Sequence, residues 1–207
     1  MSAPHVPAVQ ASTWNLANAL TGLRLLLVPV LWLMLMHEGG ESSQWRIAAF
    51  AVFALASITD RVDGEVARRW GQVTDLGKIA DPIADKALIG AALIGLSVLG
   101  EVSWWVTIVV LAREAAVTVL RFVVIRHGVM AASRGGKAKT FVQAVAIGLY
   151  ILPLGSPFDL VAAAVMALAV VITVATGVDY VVRAVRLRRT SDLTARRRAE
   201  RAKPAGS

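Results

Sequence analysis

Apolar residues lie along this chain in runs that recur at the length needed to cross a bilayer, about 20 residues each. Six runs predict six membrane-spanning helices, at residues 16–36, 47–69, 79–99, 103–125, 139–155 and 160–182. The first run is too long for a cleaved signal peptide, and no small-residue cleavage site follows Met36. We therefore expect an all-α integral membrane protein with a six-helix domain over residues 16–182.

The loops between these runs differ in positive charge. The connections at 37–44, 100–103 and 154–159 contain no Lys or Arg. The alternate connections are basic, with Arg68, Arg69 and Lys78 in one, and Arg126, Arg134, Lys137 and Lys139 in the other. By the positive-inside rule the basic loops and both termini face the cytoplasm, and six spans satisfy the even number that this requires.

Composition and the two termini complete this picture. Apolar residues make up 57% of the chain and the net charge is still +8, which excludes an ordinary soluble domain. Without cysteine, disulfides and thiolate metal sites are excluded as well. Residues 1–15 form a short cytoplasmic segment. Residues 183–207 are strongly basic and predict a disordered tail that contacts membrane lipids through anionic headgroups, rather than an arm for nucleic acid.

Four aspartates set among apolar helices carry the chemical signal: Asp60, Asp63, Asp81 and Asp85. On helices, the i, i+3 and i, i+4 spacings turn each pair toward one face. Carboxylates in such surroundings are costly unless a cation is held between them, so the pattern predicts divalent metal and phosphate chemistry. The alternative is that these acids pair with local bases at a membrane boundary.

Small and basic residues accompany both pairs. On a helical wheel Gly64 and Ala67 share the arc of the first pair and leave room for a ligand, while Arg68 borders it with a planar fork suited to phosphate. Gly77 precedes the second pair along one stripe. Pro82 leaves two alternatives there, because the helix either begins near Asp81 or is kinked.

The run Asp60-x2-Asp63-Gly64-x2-Ala67-Arg68-x8-Gly77-x3-Asp81-x3-Asp85 resembles the complete signature of the CDP-alcohol phosphotransferase family. The resemblance implies a six-helix membrane bundle, usually a homodimer, whose active site opens to the cytoplasm. It implies two Mg²⁺ ions, or Mn²⁺, held by the four aspartates, with Asp85 as the base that takes the proton of the acceptor hydroxyl. The positions implied for the CDP-lipid are Asn18, Thr21, Gly64, Arg68, Thr74 and Gly77.

Further stretches resemble the branch of that family whose acceptor is glycerol 3-phosphate. They are Asn18-x-Leu20-Thr21-x2-Arg24, Asp81-Pro82-x-Ala84-Asp85-Lys86, Trp104-Trp105-x-Thr107, Arg113-Glu114 with Arg121, and Gly136-Lys137-x-Lys139-Thr140. The implied reaction transfers the phosphatidyl group from CDP-diacylglycerol to glycerol 3-phosphate, giving phosphatidylglycerophosphate and CMP. The implied location is the cytoplasmic membrane of a bacterium.

A phosphorylated acceptor needs cations near the metal site, and the candidates are Arg113, Arg121, Lys137 and Lys139. The two arginines are eight residues apart on roughly one helical face. Since they lie inside an apolar segment, each must face a cavity or a partner. Alternatively, Arg113 pairs with Glu114 or another acid, and the lysines are positive-inside residues without a ligand.

Two other kinds of function remain open. The same chemistry could use inositol phosphate as the acceptor, or phosphatidylglycerol as in a cardiolipin synthase. A cation or phosphate transporter would also place acids within a membrane, but broken helices and pseudo-repeats near the midplane are expected of it. The sequence shows no repeat, which disfavours a transporter.

Overall fold

The computed structural model describes residues 16–70, 75–124 and 134–201, and among their side chains those of residues 19–59, 83–120, 136 and 138–186. This part of the chain is all-helical, as predicted. Its helices are α1 (Leu16–Met36), α2 (Ser43–Trp70), α3 (Asp75–Val98), α4 (Trp104–Val124), α5 (Arg134–Ile151) and α6 (Phe158–Arg201), with a short 3₁₀ helix (His37–Gly40) after α1. Each predicted apolar run overlaps one α-helix.

The first of two compact units contains α1, α2, α3 and the end of α5. Here α1 packs along both α2 and α3, which also contact each other. The buried apolar side chains recur every fourth residue, because that spacing returns to the same helix face. Examples are Leu31 and Leu35 on α1, and Ala92 and Leu96 on α3.

Gly95 permits the close approach of α3 to α1. A β-carbon at this position would lie 2.7 Å from Cδ2 of Leu35, a side chain that is fully buried. Small residues at helix contacts let two backbones approach closely in membrane proteins, where van der Waals packing drives association.

The buried Arg46 of α2 links three connections within the first unit. Its Nη2 donates to Oε2 of Glu101 at 2.7 Å and its Nε donates to the carbonyl of Ile151 at 2.9 Å. Further bonds reach the carbonyls of Gly40 and Tyr150. The guanidinium therefore donates hydrogen bonds to carbonyl groups at the C-terminal end of α5, which have no partner within the helix. It also links the segments that follow α1, α3 and α5 to one another.

The second unit contains α4, α6 and most of α5. Helices α4 and α6 pack together over buried residues that include Val110, Ala169 and Thr173. At Gly177 of α6 a β-carbon would lie 3.2 Å from Cγ of Arg113. The missing side chain at position 177 thus leaves space for the arginine stem to lie against α6.

Within the described residues, two helical stretches are long and apolar enough to cross a membrane, Ala19–Gly40 and Phe158–Arg186. Shorter apolar helical stretches cover Ser43–Thr59 and Ala138–Ile151. Large apolar side chains are exposed on several helices, among them Leu26, Leu33, Ile108, Leu160 and Val171. Such surfaces are unfavourable in water over this extent and are expected where helices face lipid.

Two details differ from the sequence-based expectations. Helix α3 begins at Asp75, so Pro82 lies inside the helix, and the alternative of a helix beginning near Asp81 is wrong. The sequence predicts a disordered tail over residues 183–207, but α6 continues through Arg201, so the described part of that segment is helical. The physical reason is that no Gly or Pro lies between Gly177 and Pro204, and that extending an existing helix is far easier than nucleating a new one.

Candidate active site

The two halves of the aspartate motif lie on two helices that contact each other. Helix α2 carries Asp60 and Asp63, and α3 carries Asp81 and Asp85. The helical spacing assumed for each pair therefore holds. The side chains of Asp60, Asp63 and Asp81 are outside the described set, as are those of Asn18, Gly64, Arg68, Gly77, Arg121 and Lys137, and Thr74 lies outside the described residues altogether.

Asp85 is held by an arginine from another helix. Nη1 of Arg24 on α1 donates to Oδ1 of Asp85 at 2.8 Å. The side chain of Arg24 is 2% exposed, whereas that of Asp85 is 42% exposed. Thr21, predicted to contact the CDP-lipid, is buried one turn before Arg24. The carboxylate is thus anchored from the protein side and remains accessible to a ligand.

Among the described side chains, no group of three or more His, Cys, Asp or Glu is placed to hold a metal ion. Three of the four predicted ligands lie outside that set. The fourth, Asp85, offers an accessible carboxylate, which is the hard oxygen ligand that Mg²⁺ prefers. Asp85 therefore fits the predicted metal site.

A second charged cluster lies in the other unit and is centred on Glu114 of α4. Its Oε1 accepts a hydrogen bond from Nη1 of Arg113 at 2.9 Å and another from Nζ of Lys139 on α5. Arg113 also donates from Nη2 to Oγ1 of Thr176 on α6, at 2.9 Å. Among the described side chains, two cations contact this one anion, and such a pair of cations can also bind an anionic ligand.

These contacts bear on two of the predicted acceptor residues. Arg113 does pair with Glu114, as the alternative interpretation held, and its Nε has no hydrogen-bond partner among the described residues. Lys139 is buried and turned toward Glu114, so it is not a solvated loop lysine. Both cations are brought together by Glu114.

An apolar groove of about 350 Å³ runs between α4 and α6 beside this cluster. Its lining includes Arg113, Ala116, Leu120, Val174, Gly177 and Val178. Arg113 thus lies at the boundary between a charged cluster and a hydrophobic surface. An arginine can occupy such a boundary because its stem is apolar and its head is charged.

Sequence reasoning did not assign a role to Arg24. The available signal was that Arg24 is the sole charged residue of α1, within an otherwise apolar run. An arginine at such a position must find an acid or a cavity. Which acid it finds could not be read from the spacing, because Arg24 and Asp85 are 61 positions apart.

Comparison with known proteins places these residues in context. The sequence profile of the CDP-alcohol phosphatidyltransferase family matches residues 14–175. A protein of Mycobacterium tuberculosis (strain H37Rv) named "Probable phosphatidylglycerophosphate synthase" is 59% identical over 179 residues, which cover 86% of each chain.

Two further relatives come from other bacteria. The "CDP-diacylglycerol--glycerol-3-phosphate 3-phosphatidyltransferase" of Bacillus subtilis is 38% identical over 181 residues, covering 81% of this chain and 93% of that protein. The "Cardiolipin synthase (CMP-forming)" of Streptomyces coelicolor is 40% identical over 147 residues, covering 69% of this chain and 67% of that protein.

Proposed function

Because the chain belongs to the CDP-alcohol phosphatidyltransferase family, we propose that it is a membrane enzyme that transfers the phosphatidyl group from CDP-diacylglycerol to glycerol 3-phosphate. The products are phosphatidylglycerophosphate and CMP. The observation that carries this proposal is the 59% identity, over 86% of both chains, to a protein named as a phosphatidylglycerophosphate synthase. The name of the Bacillus subtilis relative states the same donor and acceptor.

Asp85 is the base of this reaction. It takes the proton of the acceptor hydroxyl as that oxygen bonds to the phosphorus of the phosphatidyl group and the bond to CMP breaks. Asp60, Asp63, Asp81 and Asp85 would hold two Mg²⁺ ions, for which Mn²⁺ could substitute, and bound ions would supply positive charge for the departing CMP. The exposed carboxylate of Asp85 supports its role, since a base must be reachable by the acceptor.

The CDP-lipid is bound by positions on three helices of the first unit and the connection between two of them. These positions are Asn18, Thr21, Gly64, Arg68, Thr74 and Gly77. The mutual packing of α1, α2 and α3 supports this assignment, because it keeps the helices that carry these residues within one compact unit.

The phosphate of the acceptor is bound by Arg113, Arg121, Lys137 and Lys139. The presence of both Arg113 and Lys139 beside Glu114 supports this role, because a phosphate dianion is stabilised by charge-assisted hydrogen bonds from arginine and lysine. In this arrangement Glu114 holds Arg113 and Lys139 near each other before the acceptor arrives.

The topology that we propose has six crossings of a bacterial cytoplasmic membrane, with both termini and the active site on the cytoplasmic side, and a homodimer as the assembly. Its support is the positive-inside pattern together with the contacts of Arg46. Gly40, Glu101 and Ile151, at or beside the connections predicted to face away from the cytoplasm, all bond to this one guanidinium.

A second candidate acceptor is phosphatidylglycerol, because a relative named as a cardiolipin synthase is 40% identical. That likeness covers less of the chain than the likeness to the Mycobacterium tuberculosis protein. Inositol phosphate has no comparable support, and the transport alternative loses its basis because the family is one of transferases.

One assay distinguishes these acceptors. The purified protein is given CDP-diacylglycerol with glycerol 3-phosphate, inositol phosphate, phosphatidylglycerol or no acceptor, and both CMP release and the lipid product are measured. We expect CMP and phosphatidylglycerophosphate with glycerol 3-phosphate alone. Turnover with phosphatidylglycerol but not with glycerol 3-phosphate would overturn the proposed acceptor and leave the family reaction intact.

A further inference from the structure

The Arg24–Asp85 ion pair is strongly asymmetric in burial. The arginine is 2% exposed and the aspartate is 42% exposed, yet Nη1 and Oδ1 are only 2.8 Å apart. We propose that Arg24 is the positioning residue for Asp85, holding Oδ1 so that the accessible side of the carboxylate faces the reacting groups. This inference rests on the proposed function, which assigns Asp85 as the base.

The asymmetry separates this pair from one that only stabilises the fold. Asp85 is 42% exposed, so groups outside the protein can compensate its charge without an arginine. Arg24 does need an acid, since its guanidinium remains ionised and burying it without compensation is costly. The described acidic partner of this buried cation is Asp85, the carboxylate assigned as the base. The hydrogen bond between them therefore constrains the orientation of that carboxylate.

Packing fixes both ends of the pair. Leu31 and Leu35 bury α1 against its neighbours, and Gly95 lets α3 approach α1 closely. On α3, Ala84 directly before Asp85 is fully buried and Leu88 is nearly so. Packing therefore restrains the backbones that carry Arg24 and Asp85, and the hydrogen bond from Arg24 restrains the side chain of the aspartate.

Loss of this orientation has a characteristic kinetic signature. A carboxylate that is free to rotate is misplaced for proton transfer, and misplacement by about 1 Å can cost on the order of 10²-fold in rate. We expect Arg24→Gln to lower kcat by about 10 to 10²-fold, while KM for CDP-diacylglycerol changes by less than about threefold. Arg24→Lys should recover part of this loss, because it retains the charge but not the planar fork.

A measurement independent of turnover accompanies the kinetics. Groups that orient a metal ligand typically contribute about 10-fold or more to metal affinity. Binding of Mn²⁺ to the purified protein, followed by electron paramagnetic resonance, should therefore weaken by about 10-fold in Arg24→Gln and less in Arg24→Lys. This arm remains informative even if the acceptor is not glycerol 3-phosphate, so failure of the proposed reaction and failure of the positioning role are distinguishable.

Arg46 provides the matched control. It is likewise a buried arginine in the same unit, and it is paired with the carboxylate of Glu101 rather than with Asp85. Arg46→Gln should lower the unfolding temperature in detergent, but folded molecules should keep the wild-type kcat and Mn²⁺ affinity. A fall in kcat as large as that of Arg24→Gln would show that losing any buried arginine suffices and would overturn the proposal.

A double variant tests whether Arg24 acts through Asp85. In an Asp85→Asn background, Arg24→Gln should add less than about threefold to the loss of kcat, because the group that it positions is already inactive. Asp85→Asn alone leaves the buried Arg24 cation without this carboxylate, whereas the double variant removes both charges together, so we expect it to be at least as stable as Asp85→Asn. The positioning role would be overturned if the losses of kcat from the two substitutions multiplied in the double variant. It would also be overturned if Arg24→Lys and Arg24→Gln both kept the wild-type kcat and Mn²⁺ binding.

Discussion

Lys139 of α5 donates a hydrogen bond from Nζ to the carboxylate of Glu114 on α4, and the lysine side chain is only 6% exposed. The same Oε1 accepts a hydrogen bond from Arg113 at 2.9 Å. One anion therefore holds two cations that come from different helices. Because both cations are held by Glu114, substitution of this glutamate is expected to affect both of them.

Replacing Glu114 with Gln should destabilise the protein and weaken acceptor binding. Removing one partner of a buried ion pair leaves an uncompensated charge, which costs about 3 kcal/mol, the lower end of the usual range, because Glu114 is partly exposed. Thermal unfolding in detergent measures this loss of stability. In the acceptor assay, KM for glycerol 3-phosphate should rise, because Glu114 no longer holds the two cations in place. The KM for CDP-diacylglycerol should stay nearly constant.

The control for this variant is Asp179→Asn. Asp179 pairs with Arg183 one turn along α6, with both side chains exposed, and such pairs contribute little. We expect no measurable change in unfolding temperature for the control. Equal destabilisation of the two variants would show that burial of the Glu114 cluster does not matter.

Asp85→Asn tests the role of the base. The substitution keeps the size of the side chain and much of its hydrogen bonding but removes the basic oxygen. Turnover should fall by at least about 10²-fold while CDP-diacylglycerol still binds. A binding assay with the CDP-lipid, run beside CMP release, separates the two effects. An Asp85→Asn enzyme with nearly normal turnover would contradict the assignment.

Metal removal tests the aspartate centre as a whole. In the proposed site four acids converge and must be neutralised to coexist, so CMP release should stop in excess EDTA and return when Mg²⁺ or Mn²⁺ is added. Asp60→Asn and Asp63→Asn should each raise the Mg²⁺ concentration needed for half-maximal activity. Undiminished CMP release in excess chelator would remove the metal hypothesis.

Arg121→Gln tests the predicted acceptor site. A bidentate phosphate contact is expected to contribute on the order of 2–3 kcal/mol, so KM for glycerol 3-phosphate should rise by about 30- to 150-fold. The KM for CDP-diacylglycerol should be nearly unchanged. Arg121→Lys should recover little, because an ammonium group cannot reproduce the guanidinium fork. A rise in both KM values would indicate a general structural effect.

Gly95→Ala tests the close contact of α3 with α1. The new β-carbon would lie 2.7 Å from Cδ2 of Leu35, which is fully buried, so overpacking should cost about 1–2 kcal/mol of unfolding free energy. Gly22→Ala on α1 is the control, because no atom of the described residues lies within 4 Å of its added β-carbon. In the control, higher helix propensity should leave stability unchanged or raise it by up to about 1 kcal/mol. Thermal unfolding of both variants shows whether each substitution lowers or raises the stability of the protein.

The helices of the fold could be predicted from the sequence, but their ends could not. Apolar runs of bilayer length predicted the six α-helices of the described residues, because hydropathy is a property of the composition of each segment. Asp75 at the start of α3 and Arg201 at the end of α6 lie outside the predicted runs. These ends are polar and depend on helix propensity, which hydropathy does not measure.

What the sequence determined by itself is the local chemistry of the candidate site. An α-helix places residues i, i+3 and i+4 on one face whatever surrounds it. The spacing alone therefore predicted that Asp60 and Asp63 share one helix face, and that Asp81 and Asp85 share another. The family likewise followed from a motif of fixed gaps within 26 residues of chain, and the comparisons agree with it.

Only the tertiary structure decided which charges meet. Arg24 with Asp85, and Lys139 with Glu114, are 61 and 25 positions apart. Pairs at such separations depend on how helices pack, and packing is set by the summed fit of many apolar side chains rather than by any periodic spacing. A charged residue within an apolar run indicates from the sequence that it needs a partner of opposite charge. Helix packing decides which acid lies close enough to be that partner.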